Sequence, residues 1–346
     1  MKSLKTSGGK LPVAVTLKVI ADRVGLTPGT VSGILNNSPK CKSVPQSTKE
    51  RTLAAVRELN YRPNYHARAL RVNRTYTIGL LAAEIGYSYG PVLIDSIEKY
   101  LRDQGFFYFT AAHHHDEIQL ETYTRLLGQQ GVEGFITLDT CVTQTPLLPT
   151  VAVASHRAVP SVTNVVLDQR KAARLALMHL HELQHTEIAF MKGPASSADA
   201  EDRWNCICEC CRELGIRIRP ELTVQLEGDA ACAPELNHRF VEELLSRKRR
   251  FTALFAFNDN SAIAAMRVMN EAGLSVPGNV SVVGFDDIKA AACTNPGLTT
   301  IRQPLQKMGE IAARTLLAEI EDPSAYVPVI EIEPELVVRG STAAAA

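Results

Sequence analysis

Two kinds of fold are predicted along this chain: a small all-α headpiece of helix-turn-helix type, then an α/β body whose doubly wound parallel sheets form two lobes. Three observations predict them. The 346 residues carry 37 basic and 37 acidic side chains, yet positions 1–75 hold fourteen of the basic ones and only three acids, Asp22, Glu50 and Glu58. The front fifth is therefore +11 and the remainder −11. Apolar residues recur with helical spacing in the basic segment, and beyond residue 76 short apolar runs alternate with helical stretches, twice over.

Composition removes whole classes. Hydrophobic residues make up 45% of the chain, enough to bury more than one core, so neither disorder nor a fibrous fold is expected. No run approaches the roughly 18 apolar residues that span a bilayer, and Met1 to Leu11 is too polar for the apolar middle of a secretory signal. A cytoplasmic protein without membrane contact is expected. Its eight cysteines then read as thiols rather than disulfides. A charge asymmetry of this size is by itself a signal for nucleic-acid or membrane-surface contact at one end.

Residues 1–13 are rich in Gly, Ser and Lys and read as a flexible arm. The headpiece is expected over 14–61. Leu17, Ile20, Ala21 and Val24 fall at i, i+3, i+4 and i+7, one apolar stripe that Gly25 ends. Thr27 is placed to cap a second helix, with Pro28 at its first position, where a missing N–H costs nothing. Val31, Ile34 and Leu35 face inward, and Asn36-Asn37 stop the run. A third helix follows Pro45, with Leu53, Val56 and Leu59 on its buried side. A three-residue turn between two short basic helices is the arrangement that places a second helix in a DNA major groove.

The body reads as buried parallel strands at Ile78–Leu81, Gly134–Ile136, Val151–Val153, Val165–Leu167, Ile188–Phe190, Leu254–Phe257 and Val280–Val283, with a further strand at Phe106–Phe109. Helical stretches separate them, such as Asp95–Gln104, Glu117–Gln130, Arg170–Leu183, Asp202–Leu214 and Ser261–Ala272. In doubly wound sheets ligands sit at the carboxyl ends of the strands. Neither a Walker A nor a GxGxxG sequence is present, so nucleotide chemistry has no support.

The run TLKVIADRVGLTPGTVSGILNN from Thr16, then TKERTLAAVRELNYRPNYHARALRVNRTYTIG to Gly79, resembles the headpiece and hinge of the lactose-repressor/galactose-repressor (LacI/GalR) family. LTTIRQP at 298–304 and PELVVRGST at 334–342 extend the likeness, more loosely, to the far end. The resemblance implies a homodimeric transcriptional repressor, not an enzyme, with a body like the periplasmic binding proteins. Thr16, Thr27, Thr30, Ser32 and Asn36 would meet phosphates or base edges of a near-palindromic double-stranded operator. Pro28, Gly29 and Gly33 stand where the family usually places base-reading side chains, a departure that shifts specificity toward DNA shape. Residues 62–75 would form hinge helix and linker, ordering on DNA because so short a helix is marginal alone. There Leu70 would wedge into the minor groove, and Arg68 and Arg71 would neutralise backbone charge.

The resemblance also implies a small effector, a sugar or related polyhydroxylated metabolite, clasped between the lobes of residues 76–342. Lobe 1 is expected at about 76–163 and 294–325, and lobe 2 at about 164–293 and 326–342, with 343–346 as a tail. Arg203, ten residues after the Gly of Gly193-Pro194, would grip it with Asn258, Asp286 and Asp168. Tyr87, Tyr89 and Trp204 could stack on it, since Ala230 and Gly90 replace bulkier residues and Ser155 or His156 stands near a usual Asp. Cofactors and metals are not expected.

Three signals compete. His181-Glu182-Leu183-Gln184-His185 satisfies the HExxH spacing of a zinc hydrolase, but the helix is ending there, no third ligand follows, and His185 falls in a turn. Cys206, Cys208, Cys210 and Cys211 point around most of one helix, so core packing outweighs a metal site. His113-His114-His115 reads as a solvated loop at a cleft rim. A transport system's solute-binding protein would share the body, but it would need an export signal and would lack residues 16–71.

Overall fold

The computed structural model describes residues 15–36, 38–61, 74–86, 89–154, 158–195, 197–227, 238–247 and 249–345. It divides into two compact units that meet at Thr75 and Tyr76.

In the first unit, α1 (Leu17–Val24), α2 (Pro28–Leu35) and α3 (Gln46–Glu58) enclose Ile20, Ala21, Val24, Val31 and Ala55. Gly25 ends α1 at φ 69°, and the N–H of Leu26 closes the turn on the Ala21 carbonyl. Such a left-handed stop is cheap only without a Cβ. The third helix turns two of its three expected core residues inward, and Leu53 is the exception. Leu53 is 42% exposed, while Thr52 and Ala55 are buried, with Val56 and Leu59 packed against the core. Thr52 can be buried because its hydroxyl donates to the Thr48 carbonyl at 2.8 Å, satisfying a group that would otherwise be costly to desolvate.

The second unit holds two six-stranded sheets. The first is built from β1 (Thr77–Ala82), α4 (Gly90–Asp103), β2 (Phe107–Ala112), α5 (Glu117–Gln129), β3 (Gly134–Leu138), β4 (Thr150–Val153) and β5 (Val162–Leu167). The chain then runs through α6 (Gln169–Glu182), β6 (Ile188–Lys192), α7 (Ala198–Leu214), β7 (Thr223–Gln225), α8 (His238–Ser246), β8 (Ala253–Phe255), α9 (Asp259–Glu271), β9 (Ser281–Asp286), α10 (Lys289–Cys293) and β10 (Thr299–Arg302). It closes with α11 (Leu305–Glu321), β11 (Val329–Ile332) and β12 (Glu335–Val337).

Strand order is β11-β5-β4-β3-β1-β2 in one sheet and β12-β10-β9-β8-β6-β7 in the other. Apart from the antiparallel β12, every pairing is parallel. Each sheet thus repeats one order, with its first strand flanked by its second and third, and reverses direction beside that first strand, where a crevice opens. Strands such as β1, β3 and β9 are buried along their whole length, as a sheet covered by helices on both faces requires.

Three crossings join the lobes, and their positions differ from the expected ones. β5 pairs with β4 and β11 through Leu167, so the first crossing lies at Asp168 rather than at 163. β10 belongs to the second sheet and α11 packs on α4 of the first lobe, which puts the second crossing at Gln303-Pro304 rather than at 293. β11 rejoins the first sheet and β12 the second, so the third crossing is at Glu333-Pro334 rather than at 325. Apolar patterning marks where strands lie; the sheet each joins is decided by pairing far along the chain. Among the described residues no helix is long and apolar enough to cross a membrane.

Candidate functional site

In the headpiece, the start of α2 is built by its own sequence. Thr27 Oγ1 accepts from the Thr30 N–H at 3.2 Å and lies 2.9 Å from the Thr30 hydroxyl. Thr16, Thr27, Pro28, Gly29 and Asn36 are exposed, Thr30 is half-buried, and Ser32 is 7% exposed. Asn36 turns back on the helix, donating to the Ser32 carbonyl at 2.7 Å. The expected contact residues therefore divide: Thr16, Thr27, Thr30 and Asn36 reach the surface, and Ser32 is held inside. Gly33 has its own reason to lack a side chain, because a Cβ there would collide with Cys41 Sγ. Arg68, Leu70 and Arg71 lie outside the described residues, as do Tyr87, Ser155, His156 and Ala230.

In the body, Arg203 stands on the second turn of α7 and is 5% exposed. Nε donates to Gln169 Oε1 at 3.1 Å and Nη1 to the Phe257 carbonyl at 2.7 Å. Its guanidinium lies 3.5 Å from the ring centre of Phe285 and 4.8 Å from that of Phe257, an arrangement that attracts a cation to the ring faces. Phe257 can close on it because Gly193 has no Cβ to strike the ring. Nη2 donates to no described residue.

Around this cation stand acids from both lobes. Asp286 ends β9 and accepts from Gln303 Nε2 at 2.6 Å. Asp139 follows β3, and the Tyr89 hydroxyl lies 2.6 Å from both of its carboxylate oxygens. Burial pushes Asp139 up to about 7, Tyr89's hydrogen bond opposes that, and the charges of Asp199 and Asp286 add to it. Burial, then Asp139 and Asp199, hold the Tyr89 phenol well above its ordinary range. Burial pulls Arg203 below its usual value, against Asp286, Asp199, Tyr89 and Asp139. Asp139 and Asp286 belong to different sheets, yet each feels the other because both sit at the carboxyl end of a strand. Their backbones are left-handed, at φ 49° and 108°, an uncommon conformation that persists where surroundings enforce it.

Asn258 and Asp168 each cap a helix beside a residue that binds Arg203. Asn258 caps α9, accepting from the Ser261 N–H at 2.9 Å and its hydroxyl at 2.8 Å, immediately after the residue whose carbonyl binds Arg203. Asp168 caps α6 through the Lys171 N–H at 2.8 Å, immediately before Gln169. Sequence reasoning missed Asp139 and Asp199; the available signal for Asp139 was an acid directly after a buried strand. Trp204, expected as a stacking surface, has its ring edge-on to Phe190 at 5.7 Å, with Lys192 Nζ 4.9 Å from its centre.

The competing motifs resolve into structure. α6 ends at Glu182, and His185 is 2% exposed, bonding Thr252, Ser281 and the Ala343 carbonyl. Cys210 and Cys211 are buried in the second lobe's core, and burial pushes the Cys211 thiol up to about 12. His113 is not solvated: it is 4% exposed, with Nε2 2.9 Å from the Thr140 hydroxyl, and burial lowers its pKa to about 4. Only His114 and His115 of that triplet are exposed.

The model of the lacI family of bacterial regulatory proteins matches residues 16–64, and that of the periplasmic binding protein-like domain matches 177–342. The transcriptional repressor PurR of Aliivibrio fischeri strain MJ11 is 32% identical over 336 residues, 94% of this chain and 98% of its own. PurR of Erwinia tasmaniensis is 32% identical over 340 residues, 95% and 97% of the two chains. Among solved structures, the lac repressor dimer bound to operator and the anti-inducer ONPF superposes with a TM-score of 0.85 at 24% identity, covering 96% of this chain and 100% of that one. The regulator CelR in complex with cellobiose gives 0.69 at 27% identity, covering 94% and 99%. With relatives at this identity spanning headpiece and body alike, the chain belongs to the lacI family of bacterial regulatory proteins.

Proposed function

We propose that this chain is a cytoplasmic, non-enzymatic repressor that binds a near-palindromic operator as a homodimer and releases or tightens its grip when a polyhydroxylated metabolite enters the cleft. The observation that carries the effector reading is the convergence of Tyr89, Asp139, Arg203 and Asp286, from both lobes, on one place at the strand ends. Carboxylates accept from adjacent hydroxyls, and a guanidinium edge with no acceptor among the described residues can donate to a third oxygen. The cellobiose bound by CelR is a ligand of this class.

The dimer reading draws on the outer face of the first lobe. β2 is an edge strand with Phe107 57% and Phe109 38% exposed, and the neighbouring α5 buries none of its residues while exposing Ile118 and Leu126. An apolar patch of this kind suits a two-fold pair. In the headpiece, Thr16, Thr27, Thr30 and Asn36 would meet the DNA, with Arg68, Leu70 and Arg71 following in the hinge.

The test is a thermal-shift screen of the purified full-length protein against ribose, cellobiose and related sugars, with anisotropy on an operator selected in vitro. A true effector at a hundredfold its dissociation constant should stabilise the body by about 2.7 kcal/mol and change operator affinity. Arg203→Ala and Asp286→Asn should each abolish that response while the operator is still bound. A panel without effect on stability or operator affinity would remove the effector reading.

A further inference from the structure

The turn that follows β9 is fastened on every side. Asp286 and Asp287 occupy left-handed backbone at φ 108° and 56°, where side chains other than Gly are disfavoured. From within, Asp259 Oδ2 accepts from the Ile288 N–H at 2.8 Å, and its Oδ1 pairs with the Thr300 hydroxyl. Asp259 is fully buried, and Gly284 is the residue that leaves room for its carboxyl, since a Cβ there would strike Oδ1. From without, Asp287 takes Arg302 Nε at 2.7 Å and Arg339 Nη2 at 2.6 Å. Arg302 is the last residue of β10, immediately before the second crossing; Arg339 follows β12, just beyond the third. Gln303, inside the second crossing, donates to Asp286 itself.

We infer that Asp259 and Asp287 are positioning residues: together they hold Asp286 in a strained backbone conformation and tie it to two of the three strands of chain that link the lobes. The inference rests on the reading of Asp286 as an effector contact, and it adds how that carboxylate is aimed. Neither residue needs to touch the ligand. Asp259 acts through the backbone of Ile288, and Asp287 through two arginines whose places depend on how the lobes are joined. Burial, with Asp286 and Asp287 adding to it, pushes the Asp259 carboxyl up to about 8, against the hydrogen bonds from Thr300 and Ile288. Asn keeps the volume and the oxygen that accepts from the Ile288 N–H, the bond that fastens the turn.

Hydrogen exchange of the ligand-free, full-length protein tests this without knowing the effector. Peptides spanning 284–292 and, as a reference, 134–139 of the first lobe are followed by mass spectrometry in wild type, Asp259→Ala, Asp259→Asn and Asp287→Ala. Asp259→Ala should speed exchange at 284–292 by about ten- to a hundredfold, the worth of one hydrogen bond to an acidic group. The 134–139 peptide should be unchanged and Asp259→Asn should stay within a few-fold of wild type. Asp287→Ala, whose side chain is nearer the surface, should loosen the same peptide even if Asp259→Ala does not accumulate. Unchanged exchange at 284–292 in Asp287→Ala, or equal acceleration of both peptides in Asp259→Ala, overturns the clamp. Because no ligand is used, a failed sugar screen and a failed clamp remain separate results.

Discussion

The two units of this chain solve recognition in opposite ways. The headpiece carries its chemistry on the surface of three helices built from local sequence: α2 starts because Thr27 caps it and α1 stops because Gly25 follows. The body carries its chemistry at strand ends, where Asp139, Asp199, Arg203 and Asp286 are neighbours although about 150 positions separate the first from the last. One surface is basic and suited to an extended polyanion; the other is a few buried groups suited to one small molecule. A change in solvent should strike the first, and a change in one buried atom the second.

Salt gives the largest expected effect and breaks the comparison most directly. If the dimer makes about 6–10 phosphate contacts, operator affinity should fall about 10³–10⁵-fold between 50 and 200 mM salt. Anisotropy titrations across that range measure the slope. Binding of a neutral sugar to the body, followed by calorimetry over the same range, should be nearly flat. Equal slopes for both would mean that the +11 segment is not the DNA-binding surface.

The contrast also explains what could be read from the chain. Helices of the headpiece were legible because their signals lie within a few residues, as with Leu17, Ile20, Ala21 and Val24. The exception is Leu53: its apolar side chain at helical spacing points to burial, but Thr52 takes the buried place because the Thr48 carbonyl satisfies its hydroxyl. In the body, the strands that are continuous apolar runs were legible from local sequence, the polar β7, β10 and β12 were not, and Arg203 and Asp286 are implied by the family resemblance. Asp139 and Asp199 were not legible, since their importance comes from charges that the other lobe or another loop brings near. The lobe boundaries were not legible for the same reason: β5 and β10 are assigned to their sheets by pairing with strands far along the chain.

A smaller effect sharpens the headpiece side. Gly33→Ala would drive a methyl group against Cys41 Sγ, and overpacking a tight contact costs about 1–3 kcal/mol. Cys41→Ala in the same chain should recover most of that loss, with the coupling read from a double-mutant cycle in chemical unfolding followed by headpiece signals. Additive losses would show that Gly33 is required by something other than Cys41, and the DNA-facing explanation of its glycine would return.

The smallest effect isolates the cap. Thr27 Oγ1 satisfies the Thr30 N–H, one of the donors that the first turn of a helix leaves open, and removing such a cap costs about 1 kcal/mol. Thr27→Ala should therefore lower operator affinity by less than about tenfold, through fraying of α2 rather than lost charge. Its salt slope should match wild type, because no phosphate-neutralising cation is removed. Thr27→Ser keeps the oxygen and should restore affinity if capping is the whole role. If Thr27→Ser restores helix protection in hydrogen exchange but not operator affinity, the γ-methyl group itself touches the DNA. Thr27 would then both build the reading helix and read with it, as its place among the expected contacts requires, whereas full rescue by Thr27→Ser would reduce it to a cap.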